Sequence, residues 1–177
     1  IDALTEGGKI LIKRGKYTIS STIMLKSYIV VEGEGKNTVL DASSYTGYVF
    51  DGKSELNRSM AIRNLKIVCG TDLNTGSADG IYFRNAHRSL IENVSILYAK
   101  NYGVYLDRPD DSSAEYNVIR NLKVSGSRAA ILVENHIPCL HLLTSLLGNG
   151  KINIRNYGAG STFHDVHICL ASDVGMR

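Results

Sequence analysis

Apolar and polar residues alternate along most of this chain in runs of strand length, and one run recurs. Ala61-Ile62-Arg63-Asn64-Leu65-Lys66-Ile67 is followed by Leu90-Ile91-Glu92-Asn93-Val94-Ser95-Ile96 and by Val118-Ile119-Arg120-Asn121-Leu122-Lys123-Val124. A degenerate copy stands at Thr162-Phe163-His164-Asp165-Val166-His167-Ile168. In each copy the alternation slips by one residue at the Asn (Asp165 in the last), which predicts a strand, a tight bend and a second strand. Ile62, Leu65 and Ile67 then point inward, as do Ile91, Val94, Ile96 and Ile119, Leu122, Val124. Asn64, Asn93 and Asn121 suit the bend because asparagine tolerates the left-handed conformation. Stacked above one another, their amides can bond along a ladder.

Ile62 and Ile91 are 29 residues apart, Ile91 and Ile119 are 28 apart, and Ile119 and Phe163 are 44 apart, which fits two turns of 22. A second strand set lies between the first: Gly80–Arg84, Gly103–Asp107, Ala130–Glu134 and Lys151–Arg155. Its inward pairs are Ile81/Phe83, Val104/Leu106, Ile131/Val133 and Ile152/Ile154, and Asn85, Asn135 and Asn156 close three of the four strands. Unequal spacing between matching strands is normal for a solenoid whose turns carry insertions. The register also stacks Arg63, Glu92 and Arg120, a ladder of alternating charge on the solvent side. No segment sustains a helical 3.6 period. Leucine-rich repeats need leucines at shorter fixed spacing, and an antiparallel sandwich needs hairpin turns, of which only Asn149-Gly150 qualifies, and it precedes a matching coil strand. The pattern predicts an all-β chain, a right-handed parallel β-helix of about six coils.

The 44% hydrophobic and 21% charged content is that of an ordinary folded protein. A net charge of +3 with no basic run argues against nucleic acid. The apolar runs, of which Ala129-Ala130-Ile131-Leu132-Val133 is the longest, are far too short to span a membrane. Cys69, Cys139 and Cys169 lack metal-type spacing and read as free interior thiols. Residues 1–177 read as one domain and as part of a longer solenoid. The chain opens at Ile1 and stops at Asp173–Arg177, which has the look of another strand beginning.

The first coils carry a more specific pattern. Gly7-Gly8-Lys9-Ile10-Leu11-Ile12, Arg14-Gly15-Lys16-Tyr17-Thr18-Ile19, Ile23-Met24-Leu25 and Tyr28–Gly35 lead to Thr38-Val39-Leu40. This resembles the opening of the pectate-lyase superfamily, the pectin-lyase-like β-helices that include phage tailspike proteins. Ile1–Leu4 then corresponds to the end of an N-terminal capping segment. Gly33-Glu34-Gly35-Lys36 lacks the earlier glycine of a phosphate loop and reads as a turn.

In the resembling enzymes, the outer face of one sheet and its loops form a sugar-binding groove. The corresponding face here carries Tyr82, Tyr105, Leu132 and Asn153 in one row, and Arg84, Asp107, Glu134 and Arg155 in the next. The resemblance implies substrate binding by Tyr82, Arg84, Tyr105 and Arg155, with the rings stacking on sugars. Asp107 and Glu134, on adjacent coils, form a candidate catalytic carboxylate pair, because neighbouring acids raise one another's pKa. Against this, the arginines bracket the acids into a neutral ladder that merely stabilises a surface. No cofactor is implied, although Asp107, Asp110 and Asp111 could hold Ca²⁺ as the acidic cluster of pectate lyases does. The chain departs from the family's enzymes in having no Gly-His-Gly motif, and its single Arg-x-Lys, Arg14-Gly15-Lys16, lies in the opening coils. His164 and His167 face opposite ways and do not form a metal pair. Asn57-Arg58-Ser59 and Asn93-Val94-Ser95 match the glycosylation pattern, with Asn93 committed to the turn ladder.

The expectation is an extracellular, cell-surface or virion β-helix that engages polysaccharide, with polysaccharide lyase or glycoside hydrolase activity as the catalytic form. The alternative is a non-catalytic structural or adhesive shaft, as in a tail fibre, tailspike or surface filament, forming a homotrimer.

Overall fold

The computed structural model describes residues 7–52, 57–72, 75–108, 115–127, 129–133, 140–148, 151–154 and 161–169. Every strand pairing among them is parallel, and each partner lies one coil away in sequence. One sheet stacks Gly8–Ile12, Ile29–Gly33, Ala61–Val68, Leu90–Leu97, Val118–Ser125, His141–Gly148 and Thr162–Cys169. The other stacks Ile23–Met24, Gly47–Gly52, Ala78–Arg84, Tyr102–Asp107, Ala129–Val133 and Lys151–Ile154. The chain passes from one sheet to the other and back, adding a layer each time. This is the expected parallel β-helix.

The predicted register holds. Ile91 pairs with Ile62 on one side and Ile119 on the other, and all three are buried. From the second sheet, Phe50, Ile81, Val104 and Ile131 form a facing buried column. These columns merge into one continuous apolar core. The interval of 44 residues conceals a coil that the pattern did not resolve: Ile119 pairs with Leu142 and Leu142 with Phe163, steps of 23 and 21 residues rather than two of 22.

Asn64, Asn93 and Asn121 bend the long strands at φ of 58°, 53° and 49°. The Asn93 amide donates to Asn64 Oδ1 at 2.9 Å and the Asn121 amide to Asn93 Oδ1 at 2.7 Å. The ladder ends on a carboxylate, since the Asn64 amide donates to Glu32 Oε1 at 3.2 Å. One coil earlier the bend becomes a true turn, so Ile29–Gly33 and Thr38–Asp41 pair with the two halves of Ala61–Val68. Gly33 closes against the Asn64 carbonyl, where a β-carbon has no room. The Gly35 amide donates to that same carbonyl at 2.9 Å, confirming the turn reading.

The charge ladder is also present. Arg63 pairs with Glu32 at 2.8 Å and Arg120 with Glu92 at 2.5 Å, while Lys9 adds a second cation to Glu32 at 2.8 Å. Cys69 is a buried free thiol. Cys139, Asn135, Asn156, Ile1–Leu4 and Asp173–Arg177 lie outside the described residues, and for Cys169 only the strand that it ends is described. Among the described residues no helix is long and apolar enough to cross a membrane.

Candidate functional site

The outer face of the second sheet is built by strict alternation. Ile81 and Phe83, or Val104 and Leu106, go to the core, so the residues between them face out. Pairing then places Asp51, Tyr82, Tyr105, Leu132 and Asn153 in one row, and Arg84 beside Asp107 in the next. Both predicted rows exist as far as the described residues reach.

Tyr82 and Tyr105 lie 4.9 Å apart, centroid to centroid, with planes 23° from parallel. In-register tyrosines on adjacent coils therefore turn faces toward each other, at close to the strand spacing. Tyr48 closes on the pair from the neighbouring row, 5.0 Å from Tyr82 and 6.5 Å from Tyr105. Tyr102 adds a fourth ring, 5.3 Å from Tyr105. All four are half-buried. The expectation was an open row of rings for sugars to stack on. The tyrosines instead pack on one another, which leaves each ring only partly accessible.

Acidic groups underlie this cluster. Asp107 is only 8% exposed, and the Tyr82 hydroxyl donates to its Oδ2 at 3.2 Å. Burial, then the Asp107 charge and this hydrogen bond, push the Tyr82 phenol up to about 12. Burial followed by the Asp79 charge pushes Tyr48 up as well. Asp79, 9% exposed, is a tether: its Oδ1 accepts the Asn101 and Tyr102 amides at 2.6 and 2.9 Å, and its Oδ2 the Asn101 side chain at 3.2 Å. It thereby sets the backbone that carries Tyr102.

Two sequence expectations change with burial. Asp107 is recessed beside a tyrosine hydroxyl, not displayed on the surface. Leu132, expected to lie open in the tyrosine row, is 5% exposed and ends the accessible row at that coil. Glu134 and Arg155, the other members of the predicted charged row, lie outside the described residues, as do Asp110 and Asp111. Among the described residues, no three His, Cys, Asp or Glu side chains are gathered as a metal site.

The sequence reading missed Tyr48, Asp51, Asp79 and Tyr102. A signal for the first two was available. Gly47-Tyr48-Val49-Phe50-Asp51 is a glycine-led apolar run of strand length before the first quoted strand of the set, and Gly47–Gly52 pairs with Ala78–Arg84. Asp79 and Tyr102 gave none, because nothing local shows that an acid will cap the amides of the next coil.

Other proteins share this architecture. ORF18 of Geobacillus virus E2 superposes with a TM-score of 0.71 at 16% identity, over 93% of this chain and 36% of its own length. The chain thus spans about a third of that protein. A candidate glycosyl hydrolase from Parabacteroides merdae gives 0.58 at 14% identity, over 95% of this chain and 84% of the hydrolase. The surface adhesin PfbA of Streptococcus pneumoniae gives 0.51 at 12% identity, over 82% of this chain and 54% of the adhesin. At such identities the likeness is one of fold. No curated protein matches the chain. The family model of the right-handed β-helix region matches residues 9–137. With its parallel coils in register and most of its length matched by that model, the chain belongs to the right-handed β-helix family.

Proposed function

We propose that this protein is a polysaccharide-engaging β-helix of the cell exterior, cell surface or virion, which holds saccharide on the outer face of its second sheet. The observation that carries the reading is the cluster of Tyr48, Tyr82, Tyr105 and Tyr102 beside recessed Asp107, with Arg84 in register. Half-buried aromatic surface with fixed acceptors and a guanidinium suits a ligand that is apolar on its ring faces and hydroxylated at its rim. Cleavage by polysaccharide lyase or glycoside hydrolase chemistry extends this reading through Asp107 and Glu134, with Arg155 as a further ligand contact. Ca²⁺ held by Asp107, Asp110 and Asp111 belongs to the lyase form.

The test is a glycan array followed by a depolymerisation assay. Binding that falls at least tenfold in Tyr105→Ala supports the face. Product release lost in Asp107→Ala and Glu134→Ala supports catalysis, and unchanged release removes it. Absence of any glycan ligand would sink the reading.

The second reading is a non-catalytic structural or adhesive shaft, homotrimeric, of the tail-fibre or tailspike kind. It is favoured by the first sheet, whose outer surface carries ion-pair and amide ladders that join one coil to the next. Light scattering showing a trimer, with no saccharide bound, selects it.

A further inference from the structure

A second column of left-handed residues runs up the corner between the two sheets, and it is built of the wrong residues for its backbone. Tyr28, Ser59, Arg88 and Tyr116 occupy equivalent positions on four successive coils, at φ of 63°, 52°, 52° and 60°. At the other left-handed column the chain uses Asn64, Asn93 and Asn121, which tolerate the conformation and bond to one another. Tyrosine and arginine gain nothing comparable there, and a bulky residue at positive φ is a genuine outlier. Strain of this kind persists only where the surrounding structure over-determines it, and it clusters at functional sites.

The hydrogen bonds that hold this corner come from the backbone and not from these side chains. The corner is closed by backbone bonds, Tyr28 N–H to Arg58 O at 2.8 Å, Ser59 N–H to His87 O at 2.9 Å and Arg88 N–H to Glu115 O at 2.9 Å. Its interior is filled by Ser89 and Asn117, both buried, with the Ser89 amide donating to Asn117 Oδ1 at 3.1 Å. The left-handed residues point to solvent: Tyr28 is 54% and Tyr116 47% exposed, and Ser59 and Arg88 are exposed too. Arg58 and His87 stand beside them as register partners. Arg88 lies 5.9 Å over the Tyr116 ring, and His87 meets the same ring edge-on at 6.1 Å. Neither Arg58 nor Arg88 forms an ion pair among the described residues.

We propose that this corner ridge, Tyr28–Arg58–Arg88–Tyr116, is a second binding surface, and that its ligand is a glycan carrying repeated anionic groups. Exposed guanidinium groups recognise carboxylate, sulfate or phosphate, and open tyrosine rings accept sugar faces. The groups repeat at the coil rise of roughly 4.8 Å, which is close to one pyranose unit, so a chain lying along the solenoid axis meets one position per coil. A nucleic acid has similar chemistry but is disfavoured by the small net charge of +3 and the absence of any basic run. The choice of a glycan rests on the function proposed above; the location of the ridge rests on the backbone.

The experiment compares wild type with the triple variant Tyr28→Asn/Arg88→Asn/Tyr116→Asn and with Arg58→Gln. Affinity electrophoresis is run in polygalacturonate, dextran sulfate and neutral dextran, with a single-stranded oligodeoxynucleotide as competitor. Wild type should be retarded by one or both anionic glycans, the two arms separating carboxylate from sulfate. The triple variant should lose at least tenfold in that affinity while melting at the same temperature, or roughly 2 to 4 °C higher, because asparagine relieves the strain. Arg58→Gln should lose part of the affinity. Unchanged retardation of the triple variant, or a lowered melting temperature, overturns the ridge, as does tighter binding of the oligonucleotide than of either glycan. Anionic retardation that vanishes in Tyr105→Ala assigns the ligand to the sheet face and also overturns it. Retardation lost in the ridge variants alone, with no glycan responding to Tyr105→Ala, keeps the ridge and removes the sheet-face reading.

Discussion

The hydroxyl of Tyr82 donates a hydrogen bond to Asp107 Oδ2 across one coil step, at 3.2 Å, and the carboxylate that accepts it is recessed from solvent. A phenol on one layer thus partly satisfies an acid on the next. The pair is also where the candidate site is most sensitive to change.

Tyr82→Phe keeps the ring cluster and removes a donor from a buried acceptor. We predict a loss of about 1 to 3 kcal/mol in urea unfolding, and a smaller loss in Tyr82→Phe/Asp107→Asn than the single effects add to. Strict additivity in the double-mutant cycle would show that the bond is not made in solution.

Alkaline pH should act on the same pair. The Tyr82 phenol is raised to about 12 in the folded state by burial, Asp107 charge and hydrogen bonding, against about 10 when unfolded. A raised pKa contributes stability that is full below pH 10 and is lost as pH rises toward 12. Phenolate absorbance should therefore show a late-titrating tyrosine, and Asp107→Asn should move it earlier. A tyrosine titration unchanged by Asp107→Asn would count against the coupling.

At the acid end the sensitive group is Asp41. Lys16 Nζ lies 2.7 Å from its carboxylate, and this bond, with a second from Ser43, lowers its pKa to about 2. A lowered pKa contributes stability present above the ordinary carboxylate range and lost as pH falls toward 2. Lys16 is largely exposed, so Lys16→Met should cost under about 1 kcal/mol. It should still raise the Asp41 pKa measured by NMR titration.

The asparagine ladder separates backbone from hydrogen-bond effects. Asn93 donates to Asn64 and accepts from Asn121 while holding φ at 53°. Asn93→Ala loses both bonds and strains the bend, and should cost about 2 to 3 kcal/mol. Asn93→Gly keeps the bend available and should cost about 1 to 2 kcal/mol. Equal losses in chemical denaturation would mean that the left-handed backbone is not the issue.

Gly103 tests how tightly the coils close. A β-carbon there would lie 2.6 Å from the Ala130 carbonyl oxygen and 2.6 Å from a Val124 methyl. Gly103→Ala should destabilise by about 1 to 3 kcal/mol through overpacking. A melting temperature equal to wild type would show that neighbouring coils can part at this point.

Legibility differs between the two sheets and between rows. The Ile62–Ile91–Ile119 column, the asparagine bends and the alternation of Arg63, Glu92 and Arg120 could be read directly, because each copy repeats the same local pattern. The coil at His141–Gly148 could not, since Leu142, Leu143, Leu146 and Leu147 blur the alternation. Tyr82 and Tyr105 were placed in the correct row, but their mutual packing and the approach of Tyr48 depend on ring directions that no spacing encodes. The strained corner was invisible for a simpler reason: tyrosine and arginine do not signal a left-handed backbone.

By itself the sequence determined the strands, their inward faces and their stacking, because side-chain alternation and asparagine's backbone freedom act within a few residues and recur. Only the tertiary structure decided which outward groups meet, which acids sink from solvent and which corners are strained. Those outcomes depend on the coil above and the coil below, more than twenty residues away, and on turns whose lengths differ from layer to layer.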